Sequence, residues 1–222
     1  AITYHQQSLS IRNELLEQAK QGENIDAINV SKKDVLSSYA NMGTTYDLLG
    51  NKKQAINHHV KALQLSDELK DTTSMAKIYN NIASSYLDLP DYYKAIDFGF
   101  KAVKLYAATG EKSSDFAHAL NNIGLGYFQV REFDKALDYY QKALGIQQEL
   151  GNQEERAKLL NNIAITYLLQ GHYQAALDVS LLLLWFLGGF LGAISVGTQA
   201  LTARRIGEGD DARASQVLTN SI

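Results

Sequence analysis

A chain of 222 residues with a formal net charge of -3 is long enough to bury a large apolar surface. It is too close to neutral for general nucleic-acid binding, which needs a basic face to displace counterions. With no cysteine it has no disulfide, thiolate metal site or cysteine nucleophile, and one proline against 16 glycines favours helices.

No charged-then-apolar leader follows Ala1. Residues 1–15, AITYHQQSLSIRNEL, recur as AINHHVKALQLSDEL at 55–69 and as ALDYYQKALGIQQEL at 136–150. The opening stretch therefore reads as the second helix of a repeat whose first helix is missing. Ile2, Leu9 and Ile11 are expected to lack part of their cover, and the end to fray. Ala1 to Ala55 spans 54 residues, 14 more than the later 40-residue period. The surplus falls in residues 16–35, which are polar and contain a glycine. A longer inter-repeat connection is expected there, extended flanking helices being one form of it, as a tolerated surface insertion or a functional loop.

Three repeats follow with both helices recognisable, and a fourth begins. Tyr46, Tyr86, Tyr127 and Tyr167 lie 40, 41 and 40 residues apart. A fixed period of this size marks a repeat array. Each first helix carries large apolar residues at i, i+3 and i+7: Tyr39, Met42 and Tyr46; Tyr79, Ile82 and Tyr86; Leu120, Ile123 and Tyr127. That spacing makes one apolar stripe. A small residue follows the middle one (Gly43, Ala83, Gly124) and lets a facing helix approach. Gly50 and Gly171 suit left-handed caps after the first helix, and Pro90 and Arg131 take the same slot. Second helices carry Ala55, Ala95, Ala136 and Ala176, then Ala62, Ala102 and Ala143 seven on, which permits a close crossing.

These residues resemble the tetratricopeptide repeat family. The third repeat holds the family pattern in register through Leu120, Ile123, Gly124, Tyr127, Ala136, Tyr140 and Ala143. Three repeats depart at the aromatic, with His59, Gly99 and Ser180, and the family's proline late in the second helix is absent. The period of 40–41 is similar to the extended subclass of kinesin light chains and bacterial signalling proteins. The expected fold is all-α: a right-handed superhelical solenoid of antiparallel helix pairs with a C-terminal apolar helical tail. The array covers 1–180, with repeats at about 36–70, 76–107, 117–150 and 157–180 after the truncated one.

The tail, 181–222, breaks the pattern and reads as an apolar helix plus a short amphipathic helix at 211–220. Residues 179–203 hold no charge, which is long enough for a membrane helix and makes a membrane association through 181–203 one reading. Leu181, Leu182, Leu184 and Trp185 are expected in the core if the run instead completes the fourth repeat. Residues 192–222 resemble a fragment of multidrug and toxin extrusion (MATE) transporters, through Ser195-Val196-Gly197-Thr198 and Arg205-Ile206-Gly207-Glu208-Gly209-Asp210. A transporter-derived or membrane-tethered segment and a foreign join within the helix at 179–182 are the two accounts of this switch. A fragment of that size cannot transport.

The candidate binding residues are Asn41, Asn81, Asn122 and Asn162, one in the same slot of every first helix, about 100° round from the core stripe. The resemblance places first helices on a concave groove, where asparagine can clamp the backbone of an extended peptide. Stacking bonds between neighbouring first helices are the other reading. Asn80 and Asn121 precede two of the series, as Asn161 precedes a third. Lys77, His118 and Lys158 lie one turn back on the same side. Phe128, like Leu87 and Leu168, could add apolar contact. His58-His59 lacks the i, i+4 spacing of metal ligands, and His59, sharing the slot of Tyr140, is expected to pack. Lys135 and Asp138 are expected to pair. GEGD at 207–210 lacks the lysine of a phosphate loop. No nucleophile–base set is visible. The reading is a non-enzymatic scaffold for a protein or extended peptide, cytoplasmic, bacterial and regulatory, with no cofactor and no metal.

Overall fold

The computed structural model describes residues 2–110 and 112–187, with side chains to 183. The described residues fall into two compact units, divided between residues 111 and 112. All regular structure among the described residues is helical. The first unit holds α1 (Ile2–Gln21), α2 (Ile25–Leu48), α3 (Lys52–Glu68), α4 (Thr72–Asp88) and α5 (Tyr92–Thr109). The second holds α6 (Ser114–Gln129), α7 (Phe133–Glu149), α8 (Gln153–Leu169) and α9 (Tyr173–Leu187). Within each unit successive helices are joined by three residues and pack as antiparallel neighbours.

Helix starts are set by side chains that accept from orphan amides of the first turn. Asn24, Asn51, Asp71, Asp91, Ser113 and Asn152 all do this, while Glu132 before α7 makes no such bond. Several helices stop at a left-handed residue. Glycine takes that conformation freely at Gly50 and Gly171, but Lys70 (φ 53°) and Arg131 (φ 63°) hold it with a Cβ.

The surplus in residues 16–35 takes the extended-helix form, a three-residue turn between two lengthened helices. Set against α3 and α4, α1 gains residues 15–21 at its end and α2 gains 25–31 at its start. Each gain is about two helical turns, so both apolar faces keep their phase. Arg12 Nη1 joins the two helices, donating to the Asp34 carbonyl at 2.9 Å and to Ser38 Oγ at 2.7 Å. Leu16 is buried beside them.

The core is a ribbon between helices. Met42, Ile82, Ile123 and Ile163, the middle residues of the apolar stripes, are at most 3 % exposed. Ala55, Ala95, Ala136 and Ala176, with Ala62, Ala102 and Ala143, are all 0 % exposed, as close crossings require. The departures at the aromatic slot have a packing cause. A Cβ on Gly43 would lie 2.4 Å from the His59 ring, and one on Gly124 would lie 2.6 Å from the Tyr140 ring. Where the second helix carries small Gly99 or Ser180, the same slot of the first helix holds Ala83 or Ala164. A large side chain thus meets glycine and a small one meets alanine, so no pairing sets two bulky groups against each other at the crossing.

The tyrosines flank this ribbon. The His58 ring lies 5.2 Å from Tyr46 and 5.9 Å from Tyr39; Phe98 lies 5.6 Å from Tyr86 and 6.0 Å from Tyr79. Tyr139 stacks on Tyr127 at 5.7 Å. Lys61, Lys94, Lys101, Lys135 and Lys142 lay ammonium groups over these rings. Lys135 pairs with Glu132 and not with Asp138, whose partner is Lys142 at i+4. The i+4 geometry serves an acid N-terminal to its lysine better than the reverse order.

In α9, Ala176, Ser180 and Leu183 face inward, whereas Leu181 and Leu182 are about half exposed. The expectation that Leu181 and Leu182 enter the core is corrected by helix phase: the buried positions run i, i+4 and i+7. Among the described residues no helix is long and apolar enough to cross a membrane. The rest of the uncharged run, the MATE-like motifs and the 211–220 helix lie outside the described residues.

Candidate peptide-binding face

In the first unit, α2 and α4 carry Asn41 and Asn81; in the second, α6 and α8 carry Asn122 and Asn162. Asn41 is exposed and the other three are half-buried. Asn80 and Asn121 are half-buried as well, and Asn161 is exposed. The helical phase therefore sets the series beside the core stripe and leaves it in reach of solvent.

The second unit brings part of the series together. Asn162 Nδ2 donates to Asn121 Oδ1 at 3.0 Å, joining α8 to α6. One turn back, His118 Nε2 lies 3.1 Å from Glu155 Oε2, again across the two first helices. Lys158 Nζ reaches Glu154 and Glu155, each at 2.8 Å. Burial by itself would raise the Glu155 carboxyl; Lys158 and His118 outweigh it and hold it below the usual range. Lys158 is held protonated by Glu154 first and Glu155 second. His118 and Lys158 thus share one carboxylate and form a single polar cluster. Phe128 is half-buried, and its ring lies 5.8 Å from Phe133 at the α6–α7 turn. Lys77 is exposed on α4.

In the first unit the slot of Phe128 is taken by Asp47, and a polar network replaces the apolar one. Ser85 Oγ donates to Asp47 Oδ1 at 2.7 Å, linking α4 to α2. His59 Nε2 lies 3.2 Å from Asp47 Oδ2. Lys52 Nζ sits 3.4 Å from Asp47 and 2.7 Å from Asp88. Burial pushes the Asp47 carboxyl up, but the bonds from His59 and Ser85, with the charge of Lys52, bring it below its ordinary value. Sequence reasoning missed this network. The available signal was a single acid in a slot that is apolar in the other three repeats.

Ser85, Asp47 and His59 have the residue types of a nucleophile, acid and base, in the wrong connection. The serine bonds to the carboxylate and not to the imidazole, so nothing withdraws its proton toward a base. His59 is 0 % exposed beneath Gly43 and meets no substrate. Among the described residues no group of three or more acids and histidines is placed to hold a metal ion. What the first helices offer is carboxamides and paired charges, which recognise polar backbone and side-chain groups.

Family models described as tetratricopeptide repeat match residues 35–68 and 115–180. The transporter resemblance of 192–222 has no support among these matches, which end at residue 180. No curated protein matches the sequence. Among solved structures, BtubC (BKLC) from P. vanneervenii is similar at 20% identity and a TM-score of 0.71, over 98% of this chain and 89% of that one. A putative kinesin light chain of Podosopora anserina with nearly identical TPR-like repeats is similar at 15% identity and 0.70, over 84% and 92%. A Rap protein complexed with competence and sporulation factor is similar at 15% identity and 0.64, over 100% and 76%. At these identities the likeness is one of fold.

Proposed function

We propose that this chain, which carries tetratricopeptide repeats, is a non-enzymatic scaffold that holds a protein or an extended peptide along its first helices. The stack is read as a right-handed superhelix with those helices on the concave side. The observation that carries the reading is the asparagine repeated in one slot of four first helices, half-buried or exposed and beside the core stripe. A carboxamide has two donors and two acceptor sites. The bond from Asn162 to Asn121 uses one donor and one acceptor site, and it holds the amides oriented across two helices. Oriented amides at the repeat spacing suit the alternating N–H and C=O groups of an extended backbone.

The Glu155 cluster would then select side chains flanking that backbone. The fold shared with a Rap protein complexed with competence and sporulation factor supports a bacterial, cytoplasmic and regulatory setting.

A panel of extended peptides titrated against the chain tests the reading. It expects a ligand of micromolar affinity, weakened roughly tenfold by Asn122→Ala or Asn81→Ala with little change in melting temperature, as loss of one or two backbone hydrogen bonds implies. Unchanged affinity with a lowered melting temperature would assign these asparagines to stacking alone.

A further inference from the structure

We propose that the second unit seats a branched aliphatic side chain of its peptide ligand between Leu125 of α6 and Ile165 of α8. The inference rests on the first-helix face being the peptide-binding face, and it names the side chain that face selects.

The seat follows from helical phase. Leu125 and Ile165 stand three residues after Asn122 and Asn162, in the slot that Thr44 and Ser84 take in the first unit. Ser84 is exposed although α2, α3 and α5 all pack against α4, so the slot opens outward with its neighbours in place. Thr44 is exposed too, and its Oγ1 donates back to the Ala40 carbonyl at 3.2 Å. The first unit thus puts hydroxyls in this slot. The second puts aliphatic side chains there, with Leu125 half-buried and Ile165 39 % exposed.

One exposed aliphatic residue is ordinary on a protein surface. Here two stand on neighbouring first helices, one turn beyond the bond from Asn162 to Asn121 that joins those helices. Neither helix carries a charge from 121 to 129 or from 161 to 169. The charged groups, His118, Glu155 and Lys158, lie on the other side of that bond. A charged ligand side chain lowered into the seat would lose water and find no partner on these helices. An aliphatic one removes apolar surface from water on both sides of the contact. It also shields the neighbouring amides from water, which strengthens their bonds to a peptide backbone. In the first unit the same stretch of the two helices holds Asp47 and Asp88 and offers no such seat.

The test uses the whole chain, immobilised, and four labelled octapeptide pools. Each pool is fixed at its fourth residue as leucine, serine, lysine or glutamate and randomised elsewhere among Gly, Ser, Thr, Asn and Gln, so that no second aliphatic residue can slip into the seat. The leucine pool is expected to be retained roughly tenfold more than the serine pool. Ile165→Ser, which copies Ser84, and Leu125→Thr, which copies Thr44, are each expected to bring the leucine pool down toward the serine pool. Neither substitution should alter the circular dichroism of the protein. Asn122→Ala is expected to weaken all four pools alike.

Equal retention of the leucine and serine pools, with Asn122→Ala still weakening both, overturns the aliphatic seat and leaves the peptide-binding face standing. Strongest retention of the lysine or glutamate pool overturns the seat as well. So does a leucine preference that neither Ile165→Ser nor Leu125→Thr reduces. Retention of no pool overturns the peptide-binding face, and the seat with it.

Discussion

Gly124→Ala tests whether the small slot of each first helix is set by the residue opposite it. The added methyl would sit 2.6 Å from Tyr140 Cε1, 2.7 Å from Cδ1 and 3.3 Å from the Ala136 carbonyl oxygen. Carbon atoms at rest stand about 3.5–4.0 Å apart, so the ring must retreat by about 1 Å. Tyr140 is 1 % exposed and Ala136 0 %, which leaves no space behind them. Overpacking of this kind costs about 1–3 kcal/mol, and the gain in helix propensity of alanine over glycine returns about 1 kcal/mol. A net loss of up to about 2 kcal/mol is expected, read as a lower midpoint in urea unfolding followed by far-UV circular dichroism.

In a Tyr140→Ser background the ring is gone and the Ala136 carbonyl oxygen at 3.3 Å is the one close contact left. The pair then becomes Ala with Ser, as Ala164 and Ser180 stand in the fourth repeat. There Gly124→Ala is expected to stabilise by up to about 1 kcal/mol through propensity alone. Tyr140→Ser by itself is costly, about 3–5 kcal/mol by analogy with other buried aromatics, but the cycle isolates the coupling from that loss. The same destabilisation in both backgrounds would refute the reasoning.

Three further outcomes are expected. Arg131→Gly removes a Cβ from a left-handed cap and should raise stability by about 1 kcal/mol, seen as a higher urea midpoint. Gly145→Ala, in the middle of α7 with nothing within 4 Å of the new methyl, should stabilise by about 1 kcal/mol on the same assay. The pH dependence should have two phases. Burial first, then the charges of Lys61 and His59, hold His58 below its ordinary value of 6.5. Its contribution is complete above that value and is lost as pH falls through the lower folded one. Asp47 and Asp71, lowered from 3.8, and Glu155, lowered from 4.5, contribute above those values and lose it at more acid pH. Melting temperature against pH should therefore drop twice, and His58→Phe, which copies Phe98, should erase only the upper drop.

Much of the fold was legible because a repeat writes the same physical constraint several times. One apolar stripe is ambiguous; four in register, each followed by a small residue and then by alanines seven apart, leave little but stacked helix pairs. Family models and solved folds agree for 35–68 and 115–180. The asparagine slot was equally visible, since periodicity alone sets its angle from the core. Bonds between neighbouring first helices were one of its two readings, but which side chains pair was not legible. That Asn162 reaches Asn121, that His118 reaches Glu155, and that Asp47 gathers Ser85, His59 and Lys52 are contacts about 40 residues apart or between different helices. Sequence spacing predicts i+3 and i+4 neighbours on one helix, and even there it misassigned Lys135.

The sequence by itself determined the helices, their pairing and the face on which binding is proposed, because each follows from local periodicity and residue size. Tertiary structure decided three things that periodicity could not. It chose, of the two forms open for the surplus residues 16–35, extended helices over a long loop, with about two turns added on each side of a short link, since adding about seven residues preserves a helical face. It put Leu183 inward and Leu181 and Leu182 outward, since the phase of α9 is fixed by Ala176 at its crossing. It also showed why the aromatic slot varies. His59, Gly99, Tyr140 and Ser180 look like lapses in a motif until each is seen against Gly43, Ala83, Gly124 or Ala164. What limits each pair is whether the first helix leaves room for the side chain opposite, and no single position in the chain records that relation.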